Sequence, residues 1–371
     1  MPMSKYTIKQ IFIVHWDDFQ KLFSVRQVVS DEVHKMINCQ NPDLGYALYF
    51  CEHCNKFMHV PFTCKSRFCN CCGIKYQKDR ADAISAKLIN CNHRHIVFTI
   101  PEELRIFFRK KRSLLNLLFT AASRTVLDWF YSLNKSQNFK PGIITALHTF
   151  GRDLKWNPHI HMLITEGASG NSVVWRKFNY FPYIMLRKKW QTCLLSLLES
   201  YLGKNFFRKF KNQIYSNTPD GFYVYAKPNL SSKHDVVNYI IRYIGRPVMA
   251  QSRILDYDGN SITFWYQRHE DNKKVVETIS VFEFIQRLII HIPDKNFKML
   301  RYYGIYAKKS VHHSKLIKKL SDTAIKVRKM LSHWEERIEL SFGYNPCICS
   351  CGHKMVFIEL CGIKPIAHSP P

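Results

Sequence analysis

The sequence predicts an α+β fold: a core of antiparallel strands with helices, a small cysteine-rich module in front, and a basic helical extension behind. Three observations predict it. Segments with strand alternation and segments with helical periodicity follow one another along 371 residues. The connector 151–156 between two strand-like segments is short, so those strands are expected to be antiparallel neighbours. Cysteines are concentrated, with seven between Cys39 and Cys72 and four between Cys347 and Cys361.

The elements follow in order. Residues 6–38 read as helical, with Ile8, Ile11, Phe12, Trp16, Phe19, Leu22 and Phe23 as apolar positions, and Ser30 and Glu32 mark a second start. The cysteine block spans 51–72, and 75–89 reads as a helix leaving it. Residues 95–100 alternate as a strand that Pro101 stops, and 104–134 is a long helical stretch opening on the basic run Arg109-Lys110-Lys111-Arg112. Strands are expected at 143–150 and 157–165, a helix at 184–202, and a short aromatic strand at 221–227 with Tyr223 and Tyr225. Ser232 caps a helix that Gly245 and Pro247 end. Asp258-Gly259 marks a hairpin between 253–257 and 261–266, 275–280 continues the meander, and Ser280-x-x-Glu283 opens a further helix. Beyond 308 the chain is basic and helical, then cysteine-rich. Expected boundaries are 1–90, 91–307 and 308–371.

A formal net charge of +27 is too basic for an ordinary metabolic enzyme and points to a polyanion partner. Nucleic acid fits better than membrane, because basic residues are spread throughout and neither end carries a basic amphipathic anchor. The first ten residues are polar, unlike a signal peptide, and no stretch reaches the roughly 18–20 apolar residues of a membrane span. A soluble, cytoplasmic, nucleoid-associated protein is expected.

Cys51-x-x-Cys54 and Cys69-x-x-Cys72 are two knuckles separated by 14 residues. Each knuckle lets two thiolates reach one ion, and two knuckles close a tetrahedral shell, so a structural Zn²⁺ on Cys51, Cys54, Cys69 and Cys72 is expected. Cys64 and Cys71 are extra; they could replace a ligand or be buried thiols. Lys65, Arg67, Lys75 and Lys78 surround the block, so the module either touches DNA or only clips the N-terminus together. Cys347-Ile-Cys349-Ser-Cys351-Gly-His353 looks like half of a second ribbon with no matching knuckle after it.

His159 and His161 lie two apart in a strand-like segment, so both imidazoles share a face and can grip one cation. His148, eleven residues upstream in the preceding strand, could face the same metal. Tyr239 and Tyr243 lie four apart in a helical segment and share a face as well, with Arg242 and Arg246 placed to hold phosphates. A chain with 17 histidines and 19 tyrosines has about one of each spacing by chance, and His93-Arg-His95 is a second such pair, so context carries the signal. A divalent metal beside one or two tyrosine hydroxyls is a site for breaking and rejoining a phosphodiester.

The block 62–73 (FTCKSRFCNCCG), the stretch 147–162 (LHTFGRDLKWNPHIHM), 239–247 (YIIRYIGRP) and Arg301-Tyr-Tyr-Gly304 occur in this order. Together they resemble the rolling-circle transposases of the insertion-sequence ninety-one family, within the His-hydrophobic-His nuclease superfamily. The resemblance covers about residues 6–310. It implies a central antiparallel sheet carrying the histidines, flanked by helices, with Mg²⁺ or Mn²⁺ at His159 and His161. It also implies single-stranded DNA at element ends and target DNA as partners, with host replication proteins nearby. Tyr243 becomes the principal nucleophile and Tyr239 the second tyrosine. The family has Cys-Pro-x-Cys-Gly where this chain has Cys69-Asn-Cys-Cys-Gly73, which leaves the role of Cys71 open. Two other readings are a replication initiator or relaxase using the same chemistry, and a non-catalytic zinc-containing DNA-binding regulator. The last explains charge and cysteines but leaves the histidines and tyrosines without purpose.

Overall fold

The computed structural model describes residues 6–73, 76, 84, 88–230, 247–268, 271–307, 310, 316, 345 and 347–362, with the backbone only for 226–230. Most of the helix expected at 75–89, the helix carrying Tyr239, Arg242, Tyr243 and Arg246, and most of the basic extension after 308 lie outside these residues.

The first helix, α1 (Ile8–Leu22), starts at a capping box in which the Thr7 side chain accepts from the Gln10 amide and Gln10 reaches back to the Thr7 amide. Its buried stripe is Ile8, Ile11, Phe12, Trp16 and Phe19; α2 (Gln27–Ile37) buries Val29, Val33 and Met36. The cysteine block holds a hairpin with no clear mark in the sequence, β1 (Tyr46–Cys51) and β2 (Lys56–Pro61), turning through Asn55 at φ 54°.

Next come β3 (His93–Phe98), α3 (Glu102–Lys110) and α4 (Leu115–Leu133). The single long helix expected at 104–134 is thus broken: Lys111 adopts an extended conformation and one 3₁₀ turn, Arg112–Leu114, leads into α4. Arg109 and Lys110 then occupy the last turn of α3, where cations favour the negative end of the helix. Then follow β4 (Lys140–Phe150), β5 (Trp156–Ser169), the short β6 (Arg176–Lys177), α5 (Tyr183–Leu202) and α6 (Lys204–Asn217). The last of these was not anticipated; Gly203 at φ 94° separates it from α5. After β7 (Val224–Leu230), the meander β8 (Ile254–Tyr257), β9 (Ser261–Gln267) and β10 (Lys274–Ser280) forms as expected, and Ser280 caps α7 (Val281–Ile289) by accepting from the Glu283 amide. Two late strands, β11 (Leu300–Gly304) and β12 (Val356–Cys361), complete the set.

The chain forms two units whose sequences interleave: residues 1–82, 245–292 and 326–371 make one, 83–244 and 293–325 the other. The expected boundaries at 90 and 307 are linear and the grouping is not. In the first unit, the Phe282 ring of α7 meets Phe19 of α1 at 5.9 Å, and His15 meets the Tyr257 hydroxyl at 2.6 Å. The meander therefore belongs with the N-terminal helices. A second sheet in that unit runs β12-β1-β2.

The second unit is an antiparallel sheet in the order β11-β4-β5-β3-β7, with β6 paired to β5. Even-numbered residues of β5 (Ile160, Met162, Ile164) join Ile96, Phe98, Ile143 and Leu147 in a core with α4 and α5. On the opposite face, Ile144 and Leu163 pack with Ile89, Ile305 and Tyr306. That sidedness places the odd-numbered residues of β5, His159 and His161, on the face away from α4 and α5.

Candidate metal centres

The three expected histidines converge. His148 on β4 pairs in register with His159 on β5, and His161 lies one pleat on. Their ligand nitrogens all lie within 4.8 Å of one another, and the Nε2 atoms of His159 and His161 are 3.0 Å apart. Two donors at right angles on an ion at about 2.1 Å sit about 3.0 Å apart, so the spacing fits one divalent cation.

The outer nitrogens define the arrangement. His159 Nδ1 donates to the Asn157 carbonyl at 2.6 Å, which leaves its Nε2 as an acceptor. His161 Nδ1 meets His95 Nε2 at 2.9 Å. In the tautomer where His161 Nδ1 donates, both Nε2 lone pairs face each other with no proton between them. A cation relieves that repulsion. His161 is buried, and desolvation first, then the neighbouring imidazoles of His148, His159 and His95, holds its pKa well below 6.5. It is therefore in the neutral, ligating form at neutral pH.

His95 enters from β3, on the other side of β5, where Val97 pairs with His161. By spacing alone, His93-Arg-His95 is a chance pair. Strand alternation could have singled it out, because 93, 95 and 97 share one face. Arg94 points the other way, into a buried ion pair with Glu166 at 2.7 Å and a hydrogen bond to the Tyr183 hydroxyl at 2.7 Å. On the histidine face of the edge strand β7, Tyr225 pairs with Val97. Its ring stacks with that of Tyr223 at 6.4 Å, and both are about half exposed. Tyr239, Tyr243, Arg242 and Arg246 lie outside the described residues.

The cysteines are a correction. The knuckles Cys51/Cys54 and Cys69/Cys72 do not meet at one ion. Cys69 and Cys72 gather with Cys39 and Cys64, whereas Cys51 and Cys54 gather with Cys349 and Cys351. The reason is the hairpin. Cys51 ends β1 and Cys54 lies in the β1–β2 turn, while Cys64, Cys69 and Cys72 come after β2 and turn back beneath Cys39 at the end of α2. Cys72 Sγ lies 3.6 Å from both Cys39 and Cys64. Tetrahedral Zn–S bonds of about 2.3 Å put sulfurs about 3.8 Å apart, so this set fits zinc. Backbone amides of Cys64 and Ser66 donate to Cys39 and Cys64 sulfurs at 3.5 Å, as thiolates require. Hydrogen bonding, from Cys39 first, holds Cys69 down to about 3, while the same neighbour pushes Cys64 up. Cys71 is exposed and outside the set. Gly73 closes the knuckle where a Cβ would press on the Arg67 carbonyl at 3.0 Å.

Residues 142–314 match the family described as "Putative transposase", and residues 11–100 match the family described as "Transposase zinc-binding domain". The chain is 28% identical over 319 residues to the transposase for insertion sequence element IS801 of Pseudomonas savastanoi pv. phaseolicola, across 81% of this chain and 76% of that protein. It is 26% identical over 285 residues to "Putative transposase y4qJ" of Sinorhizobium fredii, across 72% of this chain and 71% of that protein. No solved structure matches.

Proposed function

Because the chain belongs to the IS91 family of transposases, we propose that it nicks and joins single-stranded DNA through a covalent 5′-phosphotyrosine. The observation that carries this reading is the pair of Nε2 atoms of His159 and His161, 3.0 Å apart, with His148 beside them. The antiparallel sheet that holds them on its central strand is what a His-hydrophobic-His nuclease fold needs.

In this reading His148, His159 and His161 hold Mg²⁺ or Mn²⁺. When bound, the ion polarises the scissile phosphate and stabilises the developing charge. Tyr243 attacks, with Tyr239 as the second tyrosine. The tyrosine oxygen bonds to phosphorus while the bond from phosphorus to the 3′ oxygen breaks. The phenol gives up its proton, and the departing oxygen takes one and leaves as a free 3′-hydroxyl. A later 3′-hydroxyl attacks the phosphotyrosine and restores the phosphodiester without ATP. Arg242 and Arg246 hold phosphates bidentately. The half-exposed Tyr223–Tyr225 stack, on the histidine face, offers bases a sequence-tolerant platform. Zinc at the Cys39, Cys64, Cys69 and Cys72 set keeps the N-terminal module folded. The substrates are element ends and target DNA.

The test is an oligonucleotide carrying an element end, incubated with the full chain and Mn²⁺. A denaturant-resistant protein–DNA adduct is expected, lost in Tyr243→Phe and in His159→Ala. No adduct with any divalent metal sinks the enzyme reading. An adduct that persists in Tyr243→Phe moves the nucleophile elsewhere. Replacing the element end by a plasmid origin separates a transposase from an initiator.

A further inference from the structure

We propose that Cys51, Cys54, Cys349 and Cys351 hold a second structural zinc ion that clasps the segment 347–362 onto the N-terminal hairpin. This assignment is independent of the strand-transfer chemistry.

Geometry is the first argument. Cys51 Sγ lies 3.6 Å from Cys351 Sγ, and Cys54 Sγ lies 3.4 Å from Cys349 Sγ, with all four sulfurs within 4.8 Å of one another. A ZnS₄ tetrahedron has edges of about 3.8 Å, so four thiolates need only small shifts to close on one ion. The four donors are all soft sulfur, which selects a zinc-class cation over Mg²⁺ or Ca²⁺. His53 and His353 stack nearby at 3.6 Å, and with Cys351 they offer an alternative three-donor set. All three of those residues are exposed, whereas Cys51 and Cys349 are buried beneath Tyr49 and Met355.

The backbone is built to match. Cys51 ends β1 and Cys54 sits in the following turn, 52–55, which closes through Asn55 at φ 54°. Facing it, the Cys349 amide donates to the His353 carbonyl, the Gly352 amide donates to the Cys349 carbonyl, and Gly352 takes φ 84°. Two tight turns therefore present two thiols each, which is how a pair of knuckles shares an ion.

Within this segment, β12 itself contributes little packing. β12 pairs along β1 from Tyr46↔Cys361 to Phe50↔Val356, yet Val356, Phe357, Ile358 and Leu360 are each 44–51% exposed. A strand that buries so little apolar surface needs another source of free energy, and metal binding supplies it.

Cobalt reports on this directly, because thiolate ligands give a charge-transfer band that the histidine site does not. The full chain loaded with Co²⁺ is expected to bind two thiolate-bound equivalents. Cys349→Ser/Cys351→Ser should halve the band and lose amide protection in β12, while α1 and α2 stay protected. Cys361→Ser, in the same strand but outside the set, should keep the whole band. A double variant that keeps the full band overturns the proposal. So does a native chain that binds one thiolate-bound equivalent. If the double variant loses the band entirely, the titration of the native chain decides: two equivalents uphold the assignment and one overturns it.

Discussion

His161 shows what a single residue can and cannot reveal. Its spacing from His159 was legible, because alternation in a strand fixes which side chains share a face. Its partner His95 lies 66 residues away and became visible only through the pairing of β3 with β5. His95 lies outside the three-histidine set and meets the His161 ring from behind, so a positioning role for that ring is the expectation to test. Removing such an outer partner weakens metal binding about 10- to 100-fold. His95→Ala should therefore raise the Mn²⁺ dissociation constant by about that factor while leaving the adduct-forming rate at saturating Mn²⁺ largely intact. His95→Gln, which can still accept from Nδ1, should recover part of the loss. Equal loss of rate at every Mn²⁺ concentration, in both variants, would remove the positioning role. The cysteines teach a related lesson. Spacing put Cys69 beside Cys72, as the structure has them, but it could not assign Cys39 and Cys64 to the same cluster, because the hairpin that redirects the chain between Cys54 and Cys64 carries no cysteine signal of its own.

Among the elements, the histidine strand, its antiparallel neighbour and the meander were legible because each is a short, apolar or alternating run set off by a short connector or a marked turn. The strand β11 was not. Leu300–Gly304 has five half-buried residues and no alternation of burial, so its identity rests on its register with β4. That register depends on Gly304, which pairs with Gly142 and sits at φ 57°. A Cβ there would lie 1.9 Å from the Pro141 carbonyl oxygen. Left-handed backbone alone costs a non-glycine residue about 1–2 kcal/mol, and the clash adds to it. Gly304→Ala should lower the urea midpoint and expose the β11 amides to exchange. Gly259→Ala, at φ 97° in the β8–β9 turn with open space around it, should cost only the backbone part. Equal effects of the two substitutions would show that the close approach to β4 contributes nothing.

At the scale of the whole molecule, charge and topology carry separate consequences. With a net charge of +27, binding to a single strand should weaken at least about tenfold between 50 and 200 mM salt, as a few phosphate contacts suffice to produce. Fluorescence anisotropy over that range measures the slope, and a flat profile would exclude the charge as the source of affinity. Composition alone gives this expectation. The interleaving of the two units was illegible, since no local pattern tells residues 245–292 to rejoin the N-terminal helices. The same interleaving sets a schedule for biosynthesis. The sheet β12-β1-β2 joins Tyr46 to Cys361, and its thiols Cys51 and Cys351 are 300 positions apart. At 5–20 residues per second, the ribosome delivers the later partner roughly 15–60 s after the earlier one. Throughout that interval the nascent hairpin carries a bare edge and two unmatched thiols. The hairpin is thus made long before the strand that completes its sheet.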